Sequence, residues 1–279
     1  MKQLSIIMPV YNAGNTIDKA INSVLEQKQD DIELLIIDGG STDDTKEVVN
    51  KYKNQVDCFI SEHDKGYADA LNKGIKIATG KYVMMLAGDD YLIKNSLKSA
   101  LSSMKADTDV WCGAIVEKMK YGYRIDKSYK DLNRLYYECS LRHPATIFRK
   151  KVLEICGGYD TSLKCAADRE LFLRLYTMKA HFQVEEIPMV VFSMEGMSVK
   201  DPKQYAIPED RLVSQKYGLT QEQIENNEQQ ITKTFQHIHN TEMCKILLSK
   251  IGLLPTICKI IGKPDSCLDR KALEKMDIR

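Results

Sequence analysis

Short apolar runs alternate with amphipathic stretches over the first hundred residues of the chain. Runs such as residues 4–10 and 32–37 are bounded by turn residues and are too short for buried helices, so they predict strands covered on both faces. Apolar residues at helical spacing lie between these runs. Strands are predicted at residues 4–10, 32–37, 56–61, 81–86 and 110–116, and helices at about 16–27, 45–53, 69–78 and 94–104. Alternation at this spacing predicts an α/β fold with a mostly parallel, twisted sheet and helices on both faces.

The second half of the chain is less regular. Residues 118–131 predict a hairpin, residues 141–148 a strand that returns to the sheet, and residues 150–156 a short helix ended by two glycines. A helix is predicted to start at Asp168, and one or two closing strands fall within residues 181–191. Beyond about residue 200 the composition is polar and helical. The pattern therefore predicts an α/β domain over residues 1–199 and a helical C-terminal extension over 200–279.

Composition excludes several classes of protein. The 279 residues carry a formal net charge of +1, which gives no support to nucleic-acid binding. No signal peptide begins the chain, and no apolar stretch reaches the ~18 residues that span a bilayer. We therefore expect a cytoplasmic protein, or one at the inner face of the cell membrane. The eight cysteines are scattered without a paired motif, so free thiols are expected rather than a zinc site.

Carboxylates follow three of the predicted strands. Asp38 ends the second strand, an acidic segment at 62–64 follows the third, and Asp89 and Asp90 follow the fourth. Because the carboxyl ends of parallel strands share one edge of a sheet, these loops are expected to converge on one crevice. Adjacent carboxylates suit a solvated turn, with Asp90 as a helix cap, or a cation site facing a polyanionic substrate. Neither a dinucleotide-binding glycine motif nor a P-loop is present.

Three stretches of sequence together resemble the family 2 glycosyltransferases, whose fold is called GT-A. They are MPVYNAGNTIDKAINSVLEQ, IIDGGSTDDT and SEHDKGYADALNKGIKIATGKYVMMLAGDD, and the resemblance covers roughly residues 3–195. It implies a donor site for a nucleotide-diphosphate sugar. By the resemblance, Pro9, Tyr11 and Asn12 form a nucleotide-binding loop, and Asp38 contacts the base or ribose. Lys65 and Asp69 are implied to contact the diphosphate. Asp89 is implied to contact the ribose, and Asp89 and Asp90 to bind Mg²⁺ or Mn²⁺.

The resemblance also implies the chemistry of transfer. The segment CAADRELFLRL resembles the family's catalytic helix, and Asp168 takes the position of the general base in an inverting, single-displacement reaction. On residue type alone, the favoured interpretation of Asp168 is a capping carboxylate that compensates the helix dipole. His143 precedes a proline on the acceptor side and is either a structural hydrogen-bonding residue or a contact to the acceptor or diphosphate. Four positions depart from the usual family pattern: Gly39, Ala87, Ala167 and Arg169.

These residues predict a hexosyl- or N-acetylhexosaminyl-transferring enzyme. Its donor would be a nucleotide sugar, with UDP favoured, and its acceptor a hydroxyl of a lipid-linked glycan in bacterial surface-polysaccharide synthesis. One alternative is a non-catalytic sugar-nucleotide or glycan-binding module, suggested by Ala87 and Gly39. A second, a nucleotidyltransferase, is disfavoured because residues 11–16 contain no basic side chain. The apolar, lysine-bearing tail at 243–261 predicts either contact with a membrane surface or packing on protein, including a homodimer partner.

Overall fold

The computed structural model describes residues 2–119, 122–193 and 204–229, together with Lys233, Leu273, Met276 and Ile278. The strands are β1 (Leu4–Val10), β2 (Ile32–Asp38), β3 (Cys58–Ser61), β4 (Tyr82–Met85), β5 (Tyr91–Leu92), β6 (Val110–Met119), β7 (Gly122–Lys127), β8 (Thr146–Arg149) and β9 (Phe182–Ser193). The helices are α1 (Ile17–Leu25), α2 (Thr45–Asn50), α3 (Tyr67–Ile77), α4 (Ser96–Ser103), α5 (Lys150–Cys156), α6 (Ala167–Thr177) and α7 (Ala206–Lys216), with 3₁₀ turns at Leu132–Tyr136 and His143–Ala145.

The strands described form one mixed sheet in the order β3-β2-β1-β4-β8-β6-β9-β5, and β7 pairs with β6. The four strands β3, β2, β1 and β4 are parallel neighbours. The return strand β8 then runs antiparallel between β4 and β6, and β9 lies parallel to β6. The predicted α/β fold is therefore confirmed. The second half of the sheet is mixed because β8 and the β6–β7 hairpin reverse the direction of the chain.

Strand β1 lies at the centre of the parallel part, and its alternating side chains enter two separate cores. Ile6 and Met8 pack with helices α1, α2 and α4, whereas Ile7 packs with α3, α5 and α6 on the opposite face. Pro9 is tolerated in this central strand because the β1–β4 ladder ends at the pair Ile7–Met85, two residues earlier. Both faces are covered, so the carboxyl ends of the strands are the open edge.

The described part of the predicted C-terminal extension packs on the α/β domain. Helix α7 buries Val213 in the same core as α6, and residues 221–229 are helical as well. Among the helices that the structure describes, none is long and apolar enough to cross a membrane. The predicted apolar tail at 243–261 lies outside the described residues.

Candidate active site

Asp38 is the centre of a hydrogen-bond cluster at the carboxyl ends of β1, β2 and β3. Its side chain is fully buried. The Ser41 amide donates to Oδ1 at 3.1 Å, the Ser41 hydroxyl donates to the same oxygen, and the Ser61 hydroxyl donates to Oδ2 at 2.6 Å. Asp38 therefore holds the loops after β2 and β3 together at the crevice that the sequence predicts.

The loop after β1 is fastened to the same cluster through Asn12. This residue has a left-handed backbone conformation with φ of +51°, which asparagine tolerates better than most residues. The backbone amide of Asn12 donates to the Ser41 hydroxyl at 2.8 Å, and the side-chain oxygen of Asn12 accepts from the Thr42 backbone amide at 2.9 Å. Tyr11, one residue earlier, is 64% exposed, whereas Pro9 is buried within β1. Of the three residues predicted in this loop, Tyr11 thus offers the largest accessible surface.

The segment after β3 carries Lys65 and Asp69. The Lys65 side chain is exposed, and its backbone amide donates to Asp69 Oδ2 at 3.1 Å. Asp69 also pairs with Lys73, 3.6 Å away on the next turn of α3. The Asp69 carboxylate therefore fixes the entry to α3, and Lys65 is the side chain of this pair that can reach a ligand.

Asp64 in the same segment occupies the space beside Gly39. A Cβ atom added to Gly39 would lie 2.6 Å from Asp64 Oδ2. The other Asp64 oxygen accepts from the Gly66 amide at 2.9 Å. The missing side chain at position 39, one of the departures from the family pattern, therefore makes room for a carboxylate from the neighbouring loop.

Asp89 and Asp90 have different surroundings although they are adjacent. Asp89 is exposed, whereas Asp90 is buried and accepts from the Ser193 amide at 2.8 Å. Burial and then the charge of Asp89 raise the pKa of Asp90 well above its ordinary value, and the Ser193 amide opposes this shift. An accessible carboxylate oxygen suits a hard divalent cation. Within residues 2–119, 122–193 and 204–229, no group of three or more possible ligand side chains forms a closed metal cage. The residues present therefore fit a cation shared with a diphosphate and water.

Tyr67, the first residue of α3, links the two sides of the crevice, and it lies in the segment that the resemblance places along the donor diphosphate. Although 42% of the residue is exposed, desolvation of its phenol raises the pKa, and so do the charges of Asp90, Asp168 and Asp89. Its ring also lies 6.5 Å from that of His143. Tyr67 is thus close to the carboxylates of both halves of the site. The sequence feature that indicates a site residue here is the position of Tyr67 directly after Lys65–Gly66, at the start of a helix.

Asp168 is the second residue of α6 and is held by two donors. The Arg169 amide donates to Oδ1 at 2.7 Å, and the Cys139 thiol lies 3.6 Å from Oδ2. Burial raises the pKa of Asp168, and these two hydrogen bonds oppose that shift. A carboxylate whose pKa is raised toward neutrality, while it stays ionised, is a stronger base. The surroundings of Asp168 therefore suit proton abstraction.

His143 lies in a buried aromatic cluster that includes Phe172 of α6. Its Nε2 atom is 2.6 Å from the Tyr159 hydroxyl, and its ring contacts those of Phe148 and Phe172. Burial lowers the pKa of His143 to about 4, so the ring is neutral at pH 7. Of the two roles considered for His143, these contacts favour the structural one.

Arg169 departs from the family pattern and is fully buried. A guanidinium group has five N–H donors, and here all of them are used. Two go to Asp210 of α7 at 2.9 Å each, and one to the hydroxyl of Ser214 at 3.0 Å. The remaining two reach the carbonyl oxygens of Leu135 and Tyr136. Arg169 therefore links α6 to α7 and to the 3₁₀ turn at Leu132–Tyr136.

Comparison with known proteins identifies related sequences and folds. The family model described as Glycosyl transferase family 2 matches residues 5–172. An uncharacterised glycosyltransferase, RP339, of Rickettsia prowazekii is 29% identical over 202 residues, which are 66% of this chain and 62% of that protein. The chain thus spans less than two thirds of that relative's length. The Escherichia coli protein WfaP is named a UDP-Glc:alpha-D-GlcNAc-diphosphoundecaprenol beta-1,3-glucosyltransferase. It is 36% identical over 108 residues, 38% of this chain and 43% of that protein.

Two solved structures share the fold. Staphylococcus aureus TarS 1-349 in complex with UDP-GlcNAc aligns over 81% of this chain and 70% of that chain, with a TM-score of 0.61 and 21% identity. The mannosyltransferase PcManGT of Pyrobaculum calidifontis, in complex with GDP-Man and Mn²⁺, aligns over 99% of this chain and 83% of that chain, with a TM-score of 0.61 and 16% identity. These likenesses confirm the predicted GT-A class of fold. Because the family model matches more than half of its residues, the chain belongs to glycosyl transferase family 2.

Proposed function

We propose that the protein transfers a sugar from a nucleotide-diphosphate donor to an acceptor hydroxyl, with inversion at the anomeric carbon. The observation that carries the proposal is the setting of Tyr67. Its ring lies 6.5 Å from that of His143, and the charges of Asp90, Asp168 and Asp89 add to desolvation in raising the pKa of its phenol. A carboxylate that can bind a cation and a partly buried base near the same residue are what a single displacement requires. Membership of the family supports the same assignment.

The donor would occupy the edge formed by the loops after β1, β2 and β3. The exposed ring of Tyr11 offers a face for stacking on the base, and the Asp38 cluster fixes the loops around the nucleoside. The exposed Lys65 ammonium would pair with the diphosphate. Asp89, with Asp90 behind it, would hold Mg²⁺ or Mn²⁺. When bound, such a cation stabilises the charge that develops on the leaving diphosphate.

The transfer step would use Asp168 as the general base. Its carboxylate accepts the proton of the acceptor hydroxyl as that oxygen forms a bond to the anomeric carbon. The bond between the anomeric carbon and the diphosphate oxygen breaks at the same time, and the electron pair leaves with the nucleoside diphosphate. Because attack occurs opposite the leaving group, the configuration is inverted. Burial, which raises the pKa of Asp168, strengthens it for this role.

The relatives narrow the choice of substrates. The name of the Escherichia coli relative gives a UDP-glucose donor and an acceptor linked to diphosphoundecaprenol, and TarS was solved with UDP-GlcNAc. We therefore favour a UDP-hexose or UDP-N-acetylhexosamine donor and a lipid-linked saccharide acceptor in bacterial surface-polysaccharide synthesis. Work on such an acceptor at the inner face of the membrane agrees with the lysine-bearing apolar tail at 243–261, which would contact the membrane surface or a second copy of the chain.

The donor class is tested by thermal shift with UDP, GDP and TDP, each with and without Mn²⁺. A ligand that binds only the native state raises the melting temperature, so UDP is expected to stabilise the protein most, and only when Mn²⁺ is present. A larger shift with GDP would change the donor assignment. Equal shifts with and without Mn²⁺ for every nucleotide would contradict the metal-dependent mechanism.

A further inference from the structure

The N-terminus of the base-bearing helix α6 receives its cap from a different helix. Ala166 stands at the N-cap position and has no side chain that can accept a hydrogen bond. Instead, the carboxylate of Glu209 on α7 accepts from three successive backbone amides. Its contacts are 2.8 and 2.9 Å to the Lys164 amide, 2.6 Å to the Cys165 amide and 2.9 Å to the Ala166 amide.

Two ion pairs also fix α7 against α6. Asp210, next to Glu209, binds the buried Arg169 guanidinium, which is adjacent to Asp168 in sequence. Further along α7, Lys216 lies 2.7 Å from the fully buried carboxylate of Glu170. Glu209 is therefore held in register with the first turn of α6 by the contacts that Asp210 and Lys216 of the same helix make with α6.

From this arrangement we propose that Glu209 is a positioning residue for Asp168, although Glu209 lies in the predicted C-terminal extension. The inference rests on the proposed role of Asp168 as the base. Asp168 Oδ1 already accepts from an amide of its own helix end. Without Glu209, the amides of residues 164–166 lose their acceptor, and Asp168 is the carboxylate closest to them along the chain. Glu209 thus keeps the Asp168 carboxylate available for the acceptor proton.

The test compares Glu209→Ala and Glu209→Gln with a control, Arg211→Ala. Arg211 lies on the same helix, but its partner is Glu228 in a partly exposed pair away from α6. Each variant is assayed for UDP release from UDP-GlcNAc and UDP-glucose with Mn²⁺, for the dissociation constant of UDP with Mn²⁺, and for melting temperature. Turnover of Glu209→Ala is expected to fall about 10²-fold, the typical effect of a small misplacement of a catalytic group, with the UDP dissociation constant unchanged. Glu209→Gln keeps one acceptor oxygen and should recover part of this loss, and Arg211→Ala should match the wild type.

Other outcomes would overturn the inference. Turnover of Glu209→Ala equal to wild type would show that the cap does not position the base. A parallel loss of turnover, UDP binding and melting temperature, without recovery in Glu209→Gln, would assign Glu209 to general stability only. Failure of the proposed function is distinguishable, because the wild type itself would then release no UDP from either donor or would turn over undiminished with Asp168→Asn.

Discussion

The two sides of the candidate site are held in place by different means. On the donor side, Asp38 accepts hydrogen bonds from the Ser41 amide and from the hydroxyls of Ser41 and Ser61 at neighbouring strand ends. On the base side, Asp168 sits at the end of a helix fixed by α7, through the Glu209 cap and the buried Arg169–Asp210 pair. The geometry of the donor side thus comes from the parallel sheet itself, whereas the base side depends on α7, a helix that comes later in the chain than α6. A substitution on the base side can therefore abolish sugar transfer while donor binding is retained.

The largest expected effect on stability is on the base side. Arg169→Ala removes a buried cation and leaves Asp210 and two carbonyl oxygens without their donor. Breaking a buried pair in this way costs about 3–5 kcal/mol in the free energy of unfolding. Arg211→Ala removes only a partly exposed pair and should cost less than about 1 kcal/mol. Urea unfolding measures the loss of unfolding free energy in each variant. Equal losses would contradict the claim that the Arg169–Asp210 pair contributes more to stability than the Arg211–Glu228 pair.

His143 gives the base side a pH dependence of its own. Burial lowers its pKa from 6.5 to about 4, so the unfolded chain takes up this proton before the folded protein does as the pH falls. The stabilisation that neutral His143 contributes above pH 6.5 is therefore lost progressively down to about pH 4, by about 3 kcal/mol in total. Unfolding free energies across this range should fall less steeply in His143→Asn. Identical slopes would place the histidine in a more solvated setting.

On the donor side, the two adjacent carboxylates should differ in their effect on binding. Asp89→Asn removes the exposed ligand and is expected to weaken Mn²⁺-dependent UDP binding about 10–100-fold, the value of one charge-assisted contact. Asp90→Asn keeps the acceptor for the Ser193 amide and replaces a carboxylate whose pKa burial has already raised, so its effect should be smaller. Calorimetric titration with UDP and Mn²⁺ decides the order. The reverse ranking would make Asp90 the principal metal ligand.

A smaller effect is expected where Asp64 lies over Gly39. Gly39→Ala would place a Cβ atom 2.6 Å from Asp64 Oδ2, so the flexible carboxylate must move and give up its bond from the Gly66 amide. The cost is about 1 kcal/mol of unfolding free energy, one hydrogen bond. In an Asp64→Ala background the same substitution should cost almost nothing, and this coupling is read from a double-mutant cycle. Additive costs would mean that the two residues do not compete for this space.

The same comparison separates what the sequence could predict from what it could not. The donor side was predictable because β1, β2 and β4 are continuous apolar runs, and the open edge of a parallel sheet places the residues that follow them together. The exposure of Asp89 against the burial of Asp90 was not, since it depends on Ser193, 103 residues later. The two-residue strand β5 has no pattern of its own, because pairing with β9 creates it.

The base side shows the same limit more strongly. Asp168 was found through the resemblance of its helix, but nothing local explains Arg169 or the missing cap at Ala166. Their partners lie on α7, 41 and 43 residues further along. Tyr67 lies in the segment that the resemblance places along the diphosphate, but only the folded chain brings the start of α3 near both carboxylate groups. Contacts between elements that are distant in sequence follow from packing, which composition and periodicity do not encode.

The central claim, that donor binding and proton transfer belong to separate halves of one crevice, is tested most directly with Asp168→Asn. The measurement pairs UDP release from UDP-GlcNAc and UDP-glucose in the presence of Mn²⁺ with the dissociation constant of UDP under the same conditions. We predict turnover reduced by about 10²–10⁴-fold, the contribution of a general base, with the dissociation constant within about twofold of wild type. Undiminished turnover, or loss of UDP binding together with turnover, would contradict the account.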